Sequence, residues 1–284
     1  FEICKQGTGG AFKKAGYTDC VMEPDASYLV EPVPGLWLLS IDANVYLPLN
    51  PADKDPQKQY GPSSNNGYNR MVSHKQQVMA WVKDVADRAK REGKVLSVFS
   101  HHPMMQFYRD SSRELASVFG KGGLDLTREP TPATSEIAAS TGIGLHFAGH
   151  IHANDTAVYK KDGKFLVNVQ VPSLAAYVPA YKQASYGADG KITVRTVRVA
   201  DVPRFNDLFE HYREEHKTLS AKGSKGLWDV GILSAKNYAE FASWHITELT
   251  RLRFLERNWP CEMRQQVLSL NGADMLTTAL LDTS

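Results

Sequence analysis

The chain has 284 residues, 42% of them hydrophobic and 23% charged, with a formal net charge of +2. This is globular composition, long enough for one large domain or two modest ones, and it excludes a disordered or fibrous chain. No basic stripe interleaved with aromatics supports a nucleic-acid polymer as partner, and no run of 18 apolar residues offers a membrane span. Three cysteines, Cys4, Cys20 and Cys261, are too few and too scattered for a disulfide scaffold or a cysteine-rich zinc site. Cys4 and Cys20 suit a pair if the protein is exported, and read as buried free thiols otherwise.

Residues 1–34 are irregular and punctuated by glycine and proline, with a short helix expected around 11–15 and an extended stretch at 27–30. The near-continuous apolar run 36–46 has the pattern of a strand buried on both faces. Asp42 and Asn44 share a face at its end, where turn chemistry before Pro48 is one account of them. Residues 50–70 read as a long polar loop. Ser73 is the expected N-cap of a helix reaching about Lys90, with Val78, Trp81, Val82, Val85 and Ala89 as its apolar stripe. Gly93 ends that helix, and a short buried strand at 94–100 runs into His101-His102-Pro103. Loop and helix follow at 107–119, a Gly/Pro-rich loop at 121–132, and a short helix at 134–140.

In the stretch 142–152, the alternating apolar residues Ile143, Leu145 and Phe147 lead to Gly149-His150-Ile151-His152. On a strand, residues two apart point to one face. At a strand's C-terminal end, His150 and His152 then project together into the crevice where open α/β sheets bind ligands. Further strands are expected at 156–160, 165–171 and 191–199, the first two joined by an Asp162-Gly163 hairpin turn. From residue 202 the character changes to amphipathic helices at 206–219, 235–257 and 262–270. The aromatic stripe of Tyr238, Phe241, Trp244 and His245 is expected to pack against the body.

Strand–helix–strand connections carry successive C-terminal strand ends to the same side of a sheet. His101, His150 and His152 are therefore expected to converge. Neutral imidazoles suit Zn, Fe, Mn or Cu, and such sets point to Lewis-acid hydrolysis.

The segment Val98-Phe99-Ser100-His101-His102-Pro103, followed later by Phe147-Ala148-Gly149-His150-Ile151-His152, resembles the C-terminal half of the calcineurin-like metallophosphoesterases, which include the purple acid phosphatases. The helix with Gln77, Trp81 and Gly93 and the apolar strand with its aspartate are similar too. The resemblance implies an α/β (α+β) fold, a four-layer α-β-β-α sandwich. Residues 1–203 would form the C-terminal portion of the catalytic domain, and residues 204–284 a helical tail packed on it. It implies a metal-dependent phosphoester hydrolase, phosphatase or phosphodiesterase, working on a phosphorylated small molecule or nucleotide. The cofactor would be two divalent or mixed-valence ions of Mn, Fe or Zn. By the same resemblance His101 and His150 share one metal and His152 binds the other. His102 is then the catalytic neighbour, touching phosphate or the leaving group, and a histidine packed under the loop is the plainer account of it. Asp42 matches no ligand motif and stays structural. Asn154 and Asp155 are placed to orient His152, although a turn into the next strand explains them as well. The loops at 50–70, 106–113 and 172–186 would set substrate choice, the last through Tyr177, Tyr181 and Tyr186.

The family's N-terminal signatures, Asp-x-His, Gly-Asp-x-x-Asp and Gly-Asn-His-Asp/Glu, do not occur in this chain. The expectation is that an upstream segment of a longer polypeptide supplies them. The 284 residues alone would then bind metal weakly, and the inner face of a sheet would be left as an apolar patch. Export, periplasmic or extracellular, is suggested only by the family's many secreted members. Two further readings stand beside this one. The first is a non-catalytic binding or scaffold protein of the same fold, using the helical tail as its surface. The second is a metal-dependent amidohydrolase, whose His-x-His normally lies on the first barrel strand.

Overall fold

The computed structural model describes residues 2–4, 20–22, 25–50, 52–61, 67–187 and 189–274, so the helix expected at 11–15 lies outside the described residues. Strands β1 (Glu2–Cys4) and β2 (Cys20–Met22) pair antiparallel, with Cys4 opposite Cys20 in the backbone register.

Six strands form the central sheet: β3 (Tyr28–Val33), β4 (Leu36–Ile41), β5 (Val95–Ser100), β6 (Leu145–Ala148), β7 (Thr156–Lys161) and β8 (Lys164–Gln170), in the order β3-β4-β5-β6-β8-β7. The inner four are parallel, and β3 and β7 close the edges antiparallel. The fold is thus mixed α/β. Parallel strands are buried strands, which is why 36–41 and 95–100 read as apolar runs. The β7–β8 turn is the Asp162-Gly163 hairpin, with both residues at positive φ (49° and 73°) as a type I′ turn demands.

Register partners share a sheet face. One face carries Leu29, Leu39, Val98 and Leu166, packed under Val78, Val82, Val85 and Ala89 of the helix α2 (Gln76–Arg91) and under Ala138 and Ala139 of a later short helix. Val82 and Val85 are fully buried, each stabilising the fold by about 1.5–3 kcal/mol. The other face is apolar and half-buried at Leu38, Phe99, Leu145, Phe147 and Val167. Here the expected loop 172–186 is partly a strand: β9 (Ala180–Tyr186) pairs with β10 (Ile192–Arg198) as a separate two-stranded sheet. Tyr186 donates its hydroxyl to Ser97 Oγ at 2.7 Å. A cleft of about 580 Å³ lies between Leu145, Phe165 and Val167 of the large sheet and Ile192 and Val194.

Two boundaries differ from the sequence expectation. Strand β4 ends at Ile41 because Asp42 turns the chain: its Oδ1 accepts from Asn44 N (3.0 Å) and Nδ2 (2.8 Å), and its Oδ2 accepts from Ala26 N (3.1 Å). Ser73 does not cap the long helix but ends a separate one, α1 (Tyr68–His74). The break is Lys75, at φ −127° and ψ 46°. Its ammonium turns inward to pair with Asp25 and donates to the carbonyls of Asp42 (2.6 Å) and Asn44 (3.0 Å). Lys75 is 6% exposed and Asp25 0%, so each charge is tolerable only because the other is present.

The chain divides into two compact units. The first comprises residues 1–112, 127–173 and 182–196, the second 113–126, 174–181 and 197–284. The first holds the large sheet and, besides α1 and α2, the helix α4 (Pro132–Ala139), capped by Thr131 with Pro132 at its first position. The helix α3 (Ser112–Phe119) belongs, from Arg113 on, to the second. The second holds α5 (Phe209–Ala221), α6 (Tyr238–Leu249) and α7 (Cys261–Ser269). Its small core is Phe209, Ile232 and Leu233, joined by Trp228 and by Phe241 and Trp244 of the aromatic stripe. No described helix is long and apolar enough to cross a membrane.

Replacing Lys75 by Met should cost about 3–5 kcal/mol in urea unfolding, because Asp25 is left as an uncompensated buried charge. Adding Asp25→Leu to that variant should return part of the loss. An unchanged unfolding midpoint for Lys75→Met would contradict the assignment.

Candidate metal centre

Strands β5 and β6 are neighbours and parallel, so the residues that follow them emerge at the same sheet edge. His101 and His102 come directly after β5. The Gly149 amide does not extend the ladder but donates to the His101 carbonyl at 3.0 Å, tying the two strand ends together. Next, Ile151 N donates to Gly149 O at 2.8 Å, closing a three-residue turn about His150. His150 and His152 have φ of 68° and 59°. The expectation of two histidines side by side on a strand therefore fails, since β6 stops at Ala148 and both lie beyond it in left-handed backbone. A tight turn with positive central φ is rare and strained, and histidine tolerates this region better than a β-branched residue does. Strain of this kind is concentrated at functional sites.

Three imidazoles come together. Each of His101, His102 and His150 offers a ring nitrogen within 4.8 Å of the others, and His150 Nδ1 lies 3.2 Å from His101 Nε2. Ring centroids are 4.9 Å apart for His101 and His102, 5.1 Å for His101 and His150, and 4.5 Å for His102 and His150. His102, expected to be the catalytic neighbour, sits inside this group. His152, expected to be a ligand, is exposed and stands outside it.

The surroundings favour the neutral form of His101 and His102. His102 is 2% exposed; burial first, then the charges of His150, His101 and Arg128, push its pKa down to about 3. Burial and the charge of His152 also lower that of His101. A neutral imidazole has a lone pair to give a metal. His102 Nδ1 is buried with no hydrogen-bond partner among the described residues, a costly state unless another group binds it. The set therefore fits a borderline cation such as Zn or Fe. No carboxylate belongs to the group among the described residues. Asp155 is engaged by Arg109 (2.7 and 3.2 Å) and Asn154 by Lys182 (2.5 Å) and Thr196 (3.1 Å), so the bonds of these two residues run away from His152.

Beneath the histidines lies a buried polar row that sequence reading passed over. Ser100 Oγ donates to the His102 carbonyl at 2.6 Å and receives the Tyr68 hydroxyl at 3.1 Å. His146 Nε2 lies 2.8 Å from the same Oγ, and His146 Nδ1 lies 2.8 Å from Asn168 Oδ1. That oxygen also accepts from Met104 N at 2.9 Å. Gln170, 1% exposed, continues the row at the end of β8, beside Ala148. The available signal was polar residues at core-facing alternate positions of apolar strands (100, 146, 168, 170), a departure from the two-residue period.

In comparisons with known proteins, no family model matches the chain and no curated protein matches it.

Burial pushes the His146 pKa down to about 4. Between about pH 4 and its unfolded value near 6.5, the unfolded chain binds the extra proton, so stability rises with pH across that window and is fully present above it. Unfolding followed in chelator should show a fall of up to about 3 kcal/mol on acidification through this range. A His146→Gln variant should show a shallower fall. An identical slope in both proteins would remove His146 as its source.

Proposed function

We propose that the protein is a metal-dependent phosphoester hydrolase of the calcineurin-like type, a phosphatase or phosphodiesterase acting on a phosphorylated small molecule or nucleotide. The observation that carries this reading is the convergence of His101, His102 and His150 from two neighbouring parallel strand ends. His-His-Pro after one strand and Gly-His-x-His after the next is the family's pattern. The four-layer α-β-β-α arrangement belongs to the same reading. In its favour, helices cover one face of the six-stranded sheet, and the other face is apolar with β9 and β10 opposite part of it.

In this proposal His101 and His150 hold one cation, and His152, two residues on and also at positive φ, holds a second. Bound divalent ions would supply Lewis-acid chemistry, lowering the pKa of water and neutralising charge that develops on phosphoryl oxygens. The chain's own part is to keep the His101 and His102 rings neutral through burial and to fix the backbone that carries the ligands, through the Ser100 bond to the His102 carbonyl and the Gly149 turn at His150. Arg128, whose positive charge already acts on His102, adds a field favourable to a phosphate anion. His102 faces the same point from the buried side. Its neutral ring keeps one N–H donor and one acceptor nitrogen, so it is suited to hydrogen-bond a phosphoryl oxygen rather than to give up a proton as an imidazolium near pH 7.

A second reading, a binding protein of the same fold that does not catalyse, draws on the absence of a carboxylate from the histidine group among the described residues.

Titration with Mn(II) or Zn(II), read by calorimetry and by metal analysis after dialysis, tests the centre. His101→Ala and His150→Ala should each weaken binding at least about tenfold and abolish any metal-dependent hydrolysis of p-nitrophenyl phosphate or its bis-ester. Binding untouched by both substitutions would overturn the reading. Metal binding with no hydrolysis under any metal would favour the non-catalytic one.

His102→Gln separates two roles. If His102 is catalytic, the variant should retain its metal and lose turnover by about 10²-fold or more. Loss of metal together with turnover would make it a ligand instead.

A further inference from the structure

The helical unit contains a cavity of about 350 Å³, unrelated to the histidine centre in its chemistry. Its walls include the rings of Tyr212, Trp228, Phe241 and His245, with Glu215 and Glu248 as its acidic groups. Ligand pockets are of this size and kind, mostly apolar with a few convergent polar groups.

The aromatic walls are held in place. Phe241 packs against Phe209 at 5.5 Å, and the His245 ring lies nearly parallel to Phe241, at 11°. Trp228 meets the His216 ring edge-on at 4.8 Å, while His216 Nε2 lies 3.0 Å from the Trp228 carbonyl. The acidic groups differ. Glu248 is buried and satisfied, accepting from Asp229 N at 2.6 Å and from Arg251 at 2.6 and 3.1 Å. Glu215 is exposed and takes part in none of the ion pairs found among the described residues. The charge left over at the cavity is thus one carboxylate.

A second observation singles out the same place. Helix α6 does not end regularly but passes into a π-helical turn, Thr250–Phe254, and Leu252 of that turn lines the cavity together with Glu248 and Leu249 just before it. A π-turn costs backbone regularity and is found frequently at functional sites.

We propose that this cavity binds an organic cation carrying a quaternary ammonium group, its methyls among the aromatic side chains that line the cavity and its charge balanced by Glu215. Aromatic faces attract a weakly hydrated cation through the ring quadrupole. The single uncompensated carboxylate selects against a fatty acid or other anion that an apolar cavity would otherwise admit. The proposal does not rest on the phosphoester reading.

The test uses the whole chain at pH 8, with choline as the probe and 3,3-dimethylbutan-1-ol, its uncharged carbon isostere, as control. Calorimetry and tryptophan fluorescence should show saturable choline binding at least about tenfold tighter than that of the isostere. Glu215→Gln, a surface change that should leave the melting temperature unaltered, should weaken choline about fivefold and leave the isostere unchanged. Phe241→Leu should weaken choline as well. Equal affinity for choline and the alcohol overturns the proposal, as does an absence of choline binding. Choline binding that ignores Glu215→Gln places the cation elsewhere and overturns it too.

Discussion

The candidate centre depends on a hydroxyl that never reaches it. Ser100, the last residue of β5, donates its hydroxyl to the His102 carbonyl, lies 2.8 Å from His146 Nε2, and receives the Tyr68 hydroxyl. His146 is in turn joined to Asn168, and Asn168 to the Met104 amide. The loop from His101 to Met104 is therefore tied at both ends to three adjacent parallel strands. In a low-dielectric interior such a network is rigid when complete and costly when broken. Rigidity at this point is what allows three like side chains to face one another without splaying apart.

Lys75 solves a different problem with the same means. It breaks an otherwise continuous helix, and its ammonium reaches Asp25 and the carbonyls beyond β4. A buried ion pair is weak support for net stability, but removing one partner leaves the other as an uncompensated buried charge. Two polar inclusions in one apolar core thus mark the places where the chain departs from regular structure: the helix break and the histidine loop.

Much of the framework is legible in the residues themselves. Apolar runs at 36–41 and 95–100 announce parallel strands, the Asp162-Gly163 pair announces its hairpin, and the α2 stripe from Val78 to Ala89 announces the face that meets the sheet. The histidines of the group are legible as residue types following strands. Their geometry is not, because whether His150 lies on a strand depends on where the Gly149 amide finds its acceptor, and that acceptor belongs to His101. The same holds for Lys75, whose partner lies 50 residues away in sequence at Asp25, and for the loop at 172–186, whose second half becomes a strand only by pairing with β10. His146 is hidden for the opposite reason: inside an apolar strand a single histidine looks like an irregularity, and only Ser100 and Asn168 on either side give it meaning.

The division into units has a consequence for how the protein is made. The chain passes between them five times, after residues 112, 126, 173, 181 and 196. Neither unit is an unbroken stretch, so neither can be finished on the ribosome before the other has begun. The large sheet is complete in sequence at Gln170, yet the strand segments opposite its second face belong to residues 182–196, and most of the helical unit is synthesised later still. During elongation that apolar face waits for segments not yet emerged. A nascent chain paused between residues 170 and 196 is accordingly the form most exposed to self-association and most in need of a chaperone.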